Sequence, residues 1–182
     1  VQSLREYYFT GGMPEAVKKH LETNDTVQVR EIQKEILLAY DKDISKHAPT
    51  NEAVRINQVW KSIPAQLAKE NRKFVYGAVR KGARAKDFEI AIQWLLDAGL
   101  VYKIDRVSKP GMPLGCYADF SSFKLYMLDC GLLGAMNDMP PSLMLLPNKM
   151  KESKGSFTEH FVCSQLHNCR NLSVFYYSKE NS

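Results

Sequence analysis

The sequence predicts a mostly α chain with α+β elements. Three observations carry this. Apolar residues recur at three- and four-residue spacing between positions 29 and 67 and again between 88 and 95. A strand-like run at 100–107 follows directly on the second of these stretches, and two more lie at 123–129 and 174–177. At 182 residues and 45% hydrophobic content, the chain can bury roughly two-thirds of its unfolded surface, enough for one or two domains.

The elements follow in order. Gly11-Gly12 permits a tight turn, Pro14 has its torsion preset for a first helical turn and Glu15 complements the positive end of the helix dipole, so a helix runs to about Leu21. The glycine pair reads as a helix-entry turn, with a phosphate-binding turn as the alternative. After Asn24-Asp25, Val29, Ile32, Ile36, Tyr40 and Ile44 form one stripe of a second helix, completing a helical hairpin. Ala48-Pro49-Thr50 ends it. Asn51 is placed to cap a third helix carrying Ile56, Val59, Trp60, Ile63 and Leu67 on one face, with a bend at Pro64.

Phe74-Val75-Tyr76 reads as a short extended run and 77–82 as one short helix. Residues 84–98 read as the longest helix of this part, with Phe88, Ala91, Ile92 and Leu95 inward and Gly99 ending it. The strand at 100–107, the Pro- and Gly-rich loop 109–115 and a return strand at 123–129, long enough for an interior sheet position, complete the order of a winged helix-turn-helix over 51–129. A short helix is expected at 130–136, a loop with exposed methionines at 137–152, and a last helix at 156–168 before the strand at 174–177.

The charge is concentrated in the middle. Residues 51–109 hold twelve Lys or Arg against six Asp or Glu, whereas 1–50 hold seven against eight and 110–182 six against six. Arg72, Lys73, Arg80, Lys81, Arg84, Lys86 and Lys109 are the candidate phosphate contacts, with Lys69, Lys103 and Arg106 beside them. The outward face of the 84–98 helix offers Glu89, Ile90, Gln93, Trp94 and Asp97 instead. Two acids there repel phosphate, and Ile90 with Trp94 makes an apolar pair suited to a protein neighbour. Sequence-specific base readout is disfavoured, and both DNA and a protein remain open as partners.

Other chemistries find little support. No stretch approaches the ~20 apolar residues of a membrane span and no leader opens the chain, so no membrane contact and a cytoplasmic address are expected. Cys116, Cys130, Cys163 and Cys169 lack zinc-ribbon spacing and read as reduced thiols. The phosphate loop ending in Gly-Lys-Ser/Thr is missing. His160, Cys163 and His167 share a helix face, which reads as the hydrated side opposite Phe157, Phe161, Val162 and Leu166 rather than as a metal site. No set of residues for nucleophilic catalysis is assignable. Residue 1 is Val and the chain stops straight after an aromatic run, so it is expected to be a piece of a longer protein.

Five segments stand in a telling order: 11–17 (Gly-Gly-Met-Pro-Glu-Ala-Val), Ser62-Ile63-Pro64, 97–102 (Asp-Ala-Gly-Leu-Val-Tyr), 124–133 (Lys-Leu-Tyr-Met-Leu-Asp-Cys-Gly-Leu-Leu) and 157–162 (Phe-Thr-Glu-His-Phe-Val). Together they resemble the C-terminal half of a large family of bacterial and archaeal AAA-like ATPases of unknown function, in which domain of unknown function 4143 follows the ATPase. The resemblance implies a helical lid at 1–48, a winged helix at 51–129 and the opening of a restriction-endonuclease-like α/β domain at 130–182. It places an ATPase core, with its ATP and Mg, before residue 1 and makes that core a partner of this chain. It implies that nucleotide state in the core moves the lid. Glu159 matches a Glu on the first helix of the nuclease-like domain, whose Asp and Glu-x-Lys would follow Ser182. One carboxylate does not hold a divalent metal, so the chain is expected to bind no cofactor and to be non-catalytic alone. It reads as a coupling and interaction module, the alternative being a module that presents DNA to a nuclease-like domain.

Overall fold

The computed structural model describes residues 2–69, 73–146, 149–150, 154–169 and 171–178. It is mostly helical with a small mixed sheet. The first helix, α1 (Gln2–Thr10), had no expectation in the sequence; it buries Tyr8 and Phe9. Gly11, at φ 73°, turns the chain into α2 (Pro14–Thr23), which opens with Pro14 and Glu15 and ends on the left-handed Asn24. Asp25 caps α3 (Thr26–His47) by accepting from the amides of Val27 at 2.8 Å and Gln28 at 3.3 Å. Val29 and Ile44 on its stripe are fully buried.

Helix α4 (Ala53–Leu67) starts differently from the expectation at Asn51. Pro49 O accepts from Glu52 N and Ala53 N, Glu52 takes the cap position, and its carboxylate turns to Arg55 at 2.5 Å. Ile56, Val59, Trp60, Ile63 and Leu67 all face the core, and Pro64 is accommodated in the last turn. Phe74 N then donates to Phe123 O at 2.8 Å before the short α5 (Tyr76–Val79).

The long helix expected at 84–98 is broken. A 3-10 turn, Ala85–Asp87, leads to Phe88 at φ −134° and ψ 1°, and α6 covers Glu89–Asp97, shorter than α4. Phe88 explains the break: its ring is wholly buried, and leaving helical geometry puts it there while Arg84 and Lys86 stay in solvent.

Gly99, at φ 67°, ends α6 and admits β1 (Val101–Val107). This strand is central, with β2 (Ala118–Met127) antiparallel on one side and β3 (Phe175–Tyr177) parallel on the other. The return strand expected in the interior is therefore an edge strand. Its register makes the reason visible: β3 arrives from the far end of the chain and takes the second side of β1. Tyr102 stacks on Tyr126 at 5.8 Å and both reach α9 (Lys154–Asn168), while α4 and α6 pack on β2 and β1.

Between β2 and α9 lie α7 (Cys130–Met136) and α8 (Pro141–Leu145). Met139, Met144 and Met150 are buried, correcting the expectation of an exposed methionine loop. The segment folds back because Arg30, on α3, donates to Met139 O at 3.0 Å while its guanidinium lies 4.7 Å from the Phe9 ring. One buried cluster draws on residues from Tyr8 to Phe157.

At its centre Asp129, 6% exposed, accepts from Gly12 N at 2.6 Å and from Leu132 N at 2.9 Å. Burial pushes this carboxyl above its usual range against the pull of the amide donors. A Cβ at Gly11 would overlap the carboxylate, and one at Gly131 would overlap the Thr10 carbonyl. Gly11→Ala is expected to destabilise the fold by about 3 kcal/mol, from a strained positive φ plus displacement of a buried acceptor. Urea unfolding measures this, with Gly77→Ala, where added bulk meets nothing within 4 Å, as the control.

Candidate nucleic-acid interface

The basic residues ahead of α6 form a loop closed on itself. Asp87 Oδ2 accepts from Arg84 N at 2.8 Å and lies 3.9 Å from Arg80 Nη2. The bond from Arg84 holds its carboxyl below the usual range, and the charges of Arg80, Lys86 and Arg55 act in the same direction. Arg80 also lies 5.5 Å over the buried Phe88 ring. Arg80, Lys81, Arg84 and Lys86 are all exposed. Arg55 reaches this group from α4, a contribution that charge counting along the chain does not reveal. Its i,i+3 spacing from Glu52 signals their ion pair but not its approach to Asp87.

The remaining cations lie along the hairpin between β1 and β2. Lys109 is exposed, with Nζ 4.4 Å from the Tyr117 ring. Lys103 pairs with Asp105 at 2.8 Å and sits 4.7 Å from the Phe123 ring. Lys73 and Arg106 both act on Asp119, whose carboxyl is held low first by its hydrogen bond with Ser121. Arg72 lies outside the described residues. On α6, Ile90 is 63% exposed, but Trp94 is partly buried against the core. Four positions apart on α6, the two lie on one side of the helix, with Ile90 in solvent and Trp94 partly so.

The last helix meets expectation in part: Phe157 is buried, Phe161 packs on the core and His167 is exposed, but His160 is turned inward and two apolar residues outward. His160 is fully buried and its Nε2 lies 2.9 Å from Met127 O, while Val162 and Leu166 face solvent. His167 stacks on the Tyr102 ring at 4.7 Å, and burial raises the Cys163 thiol. Glu159, the match to the nuclease-like domain's first Glu, is half-buried. Its Oε1 accepts from Lys124 Nζ at 2.5 Å and Tyr126 OH at 2.7 Å. Among the described residues, no three His, Cys, Asp or Glu side chains converge to hold a metal, and no helix is long and apolar enough to cross a membrane.

Two outcomes follow from this packing. Burial lowers His160 from 6.5 to about 4. Unfolded, the imidazole takes up its proton near pH 6.5, but folded it does so only near pH 4. Stability tied to His160 is therefore full above pH 6.5 and falls by about 3 kcal/mol as the pH drops to 4. Urea midpoints across this range should show a slope that His160→Gln lacks. Separately, Lys124→Met is expected to cost about 3 kcal/mol by leaving Glu159 half-buried without its cation, and the double replacement Lys124→Met with Glu159→Leu to recover most of it. Thermal unfolding of the two variants beside wild type tests this.

No curated protein and no solved structure is similar to this chain. One family model matches, over residues 1–143, a span that runs from α1 into α8 and leaves α9 and β3 outside it. It covers the glycine turn, the Asp129 lock and the basic loop, and by it the chain belongs to the family described as Domain of unknown function (DUF8612).

Proposed function

We propose that this chain is a non-catalytic interaction module that contacts nucleic-acid phosphates through the loop 80–87. The observation that carries this is the gathering of Arg55, Arg80 and Lys86 around a single carboxylate, Asp87, with Lys81 and Arg84 exposed beside them. Asp87 orders the loop without neutralising it. Five cations face three acids, Glu52, Asp87 and Glu89, so a surplus remains for phosphate oxygens. The order α4, the stretch around Phe74, α5, α6, β1 and β2 supports reading 51–129 as a winged helix. Glu89, Ile90, Gln93 and Asp97 on the outward side of α6 support backbone contact by the flanks over base reading by the helix.

The five ordered motifs support an AAA-like ATPase as the parent, with its ATP and Mg confined to the core before residue 1. Two of them meet in space, where Gly12 bonds to Asp129 across 117 positions. The 1–48 segment then acts as a lid joined to the rest through Asp129. Glu159, bound to Lys124 and Tyr126, has a structural role within a nuclease-like scaffold. The exposed Ile90 favours a second contact, with a protein surface such as the parent's own core.

Fluorescence anisotropy of a labelled duplex at two salt concentrations tests the phosphate contact. Binding is expected at low salt, with log K falling by about 0.9 per contacted phosphate for each decade of salt. Changing Arg80, Lys81, Arg84 and Lys86 together to Glu should abolish it. Duplex binding untouched by these four changes would sink the reading.

A further inference from the structure

The β1–β2 hairpin displays an aromatic ring whose exposure folding does not account for. Asp105 pairs with Phe123, yet the next residue, Arg106, pairs with Asp119, so Phe120, Ser121 and Ser122 form a bulge in β2. The bulge is built rather than slack. Asp119 Oδ1 accepts from Ser121 N at 3.1 Å and from Ser121 Oγ at 2.6 Å, and Ser122 Oγ lies 3.4 Å from the Tyr176 hydroxyl. Bulges re-aim side chains, and this one turns Phe120 out to 69% exposure.

Cations flank the ring. Lys103 Nζ lies 6.0 Å from its centroid, Arg106 and Lys73 act on the neighbouring Asp119, and Lys109 sits over Tyr117 just before β2. The register sets Tyr177, 45% exposed, opposite Val107, which in turn pairs with Ala118, so a further ring stands at the same end of the sheet. Asp105 and Asp119 are interspersed, leaving four cations against two carboxylates.

We infer that this end of the sheet binds single-stranded nucleic acid, a base stacking on Phe120 while adjacent phosphates meet Lys103 and Lys109. A single strand offers a π-face and a phosphate at every nucleotide, matching an exposed ring with cations about 4–6 Å from it or its neighbour. A duplex keeps its bases stacked inside and presents phosphates alone, which make no use of Phe120. The inference deepens the phosphate-contact reading and rests on it for the loop's share of the affinity.

The test is anisotropy of a labelled oligothymidylate of about 15 nucleotides and of a labelled duplex of similar length. The proteins are wild type, Phe120→Ala and the variant with all four loop residues changed to Glu, their folds compared by circular dichroism. Phe120→Ala is expected to weaken single-strand binding about tenfold and to leave duplex binding within about twofold, and Phe120→Trp to retain both. Single-strand binding unaffected by Phe120→Ala, or an equal loss for both ligands, overturns this inference and leaves the loop contact standing. Single-strand binding that needs Phe120, together with duplex binding untouched by the loop changes, overturns the loop contact and keeps this one. Absence of binding to either ligand at low salt overturns both.

Discussion

The fold depends on the Asp129 carboxylate. It sits two residues beyond β2, caps α7, and accepts the amide of Gly12 at the turn between α1 and α2. A buried carboxylate is expensive unless donors meet it, and here backbone amides do so from two directions. That demand explains both glycines around it. Gly11 has no room for a Cβ because Asp129 occupies that space, and Gly131 none because the end of α1 lies there. Gln33 finishes the joint by donating to Phe9 O and Thr10 O, carbonyls in the last turn of α1 that lack helical partners. The N-terminal helices, the sheet and α7 are thereby fixed to one another by groups far apart in sequence.

With that joint made, the two sides of the sheet take on different work. Toward α9 the contacts are polar and structural: Lys124 and Tyr126 share Glu159, Lys124 lies 4.6 Å from the Tyr176 ring, and His160 bonds to the end of β2. These groups hold the last helix on the sheet, and a carboxylate already bound to a lysine and a tyrosine is poorly disposed to serve a metal. At the other extreme of the sheet, and in the loop before α6, the cations are ordered by acids: Asp105 pairs with Lys103, and Glu52 with Arg55. Asp87 joins them in the loop and Asp119 at the bulge. An internal carboxylate lowers the local surplus of charge but holds flexible arginines and lysines in place, so less ordering remains for a ligand to impose.

Much of the helical framework was legible along the chain because its causes are local. The stripes of α3 and α4, the proline and glycine that start α2, the left-handed Gly99 after α6, and the runs that became β1 and β3 follow from torsional preference and periodicity. The concentration of charge at 51–109 was equally plain. Less legible were features whose cause lies elsewhere in the chain. The burial of Phe88 breaks α6, Arg30 draws the methionine segment inward, and β3 claims the second side of β1. The lapse of alternation at Phe120-Ser121-Ser122 was a visible sign of the bulge, but it did not reveal the ring's exposure.

The sequence by itself determined the stripes of α3 and α4, the runs of β1 and β3, the turns at Gly11 and Gly99, and that the middle third is basic, since each depends on residues within a few positions of one another. Only the tertiary structure decided where the break before α6 and the bulge in β2 fall, and how much of α9 is buried. Helix α9 makes the difference concrete: its stripe of His160, Cys163 and His167 reads as hydrated until Tyr102, Met127 and Tyr126 are brought against it. The same holds for Arg55, which joins the loop at Asp87 from another helix, and for Asp129, whose partner stands 117 positions away. Burial and charge pairing depend on what packing brings close, and spacing along the chain carries no record of that.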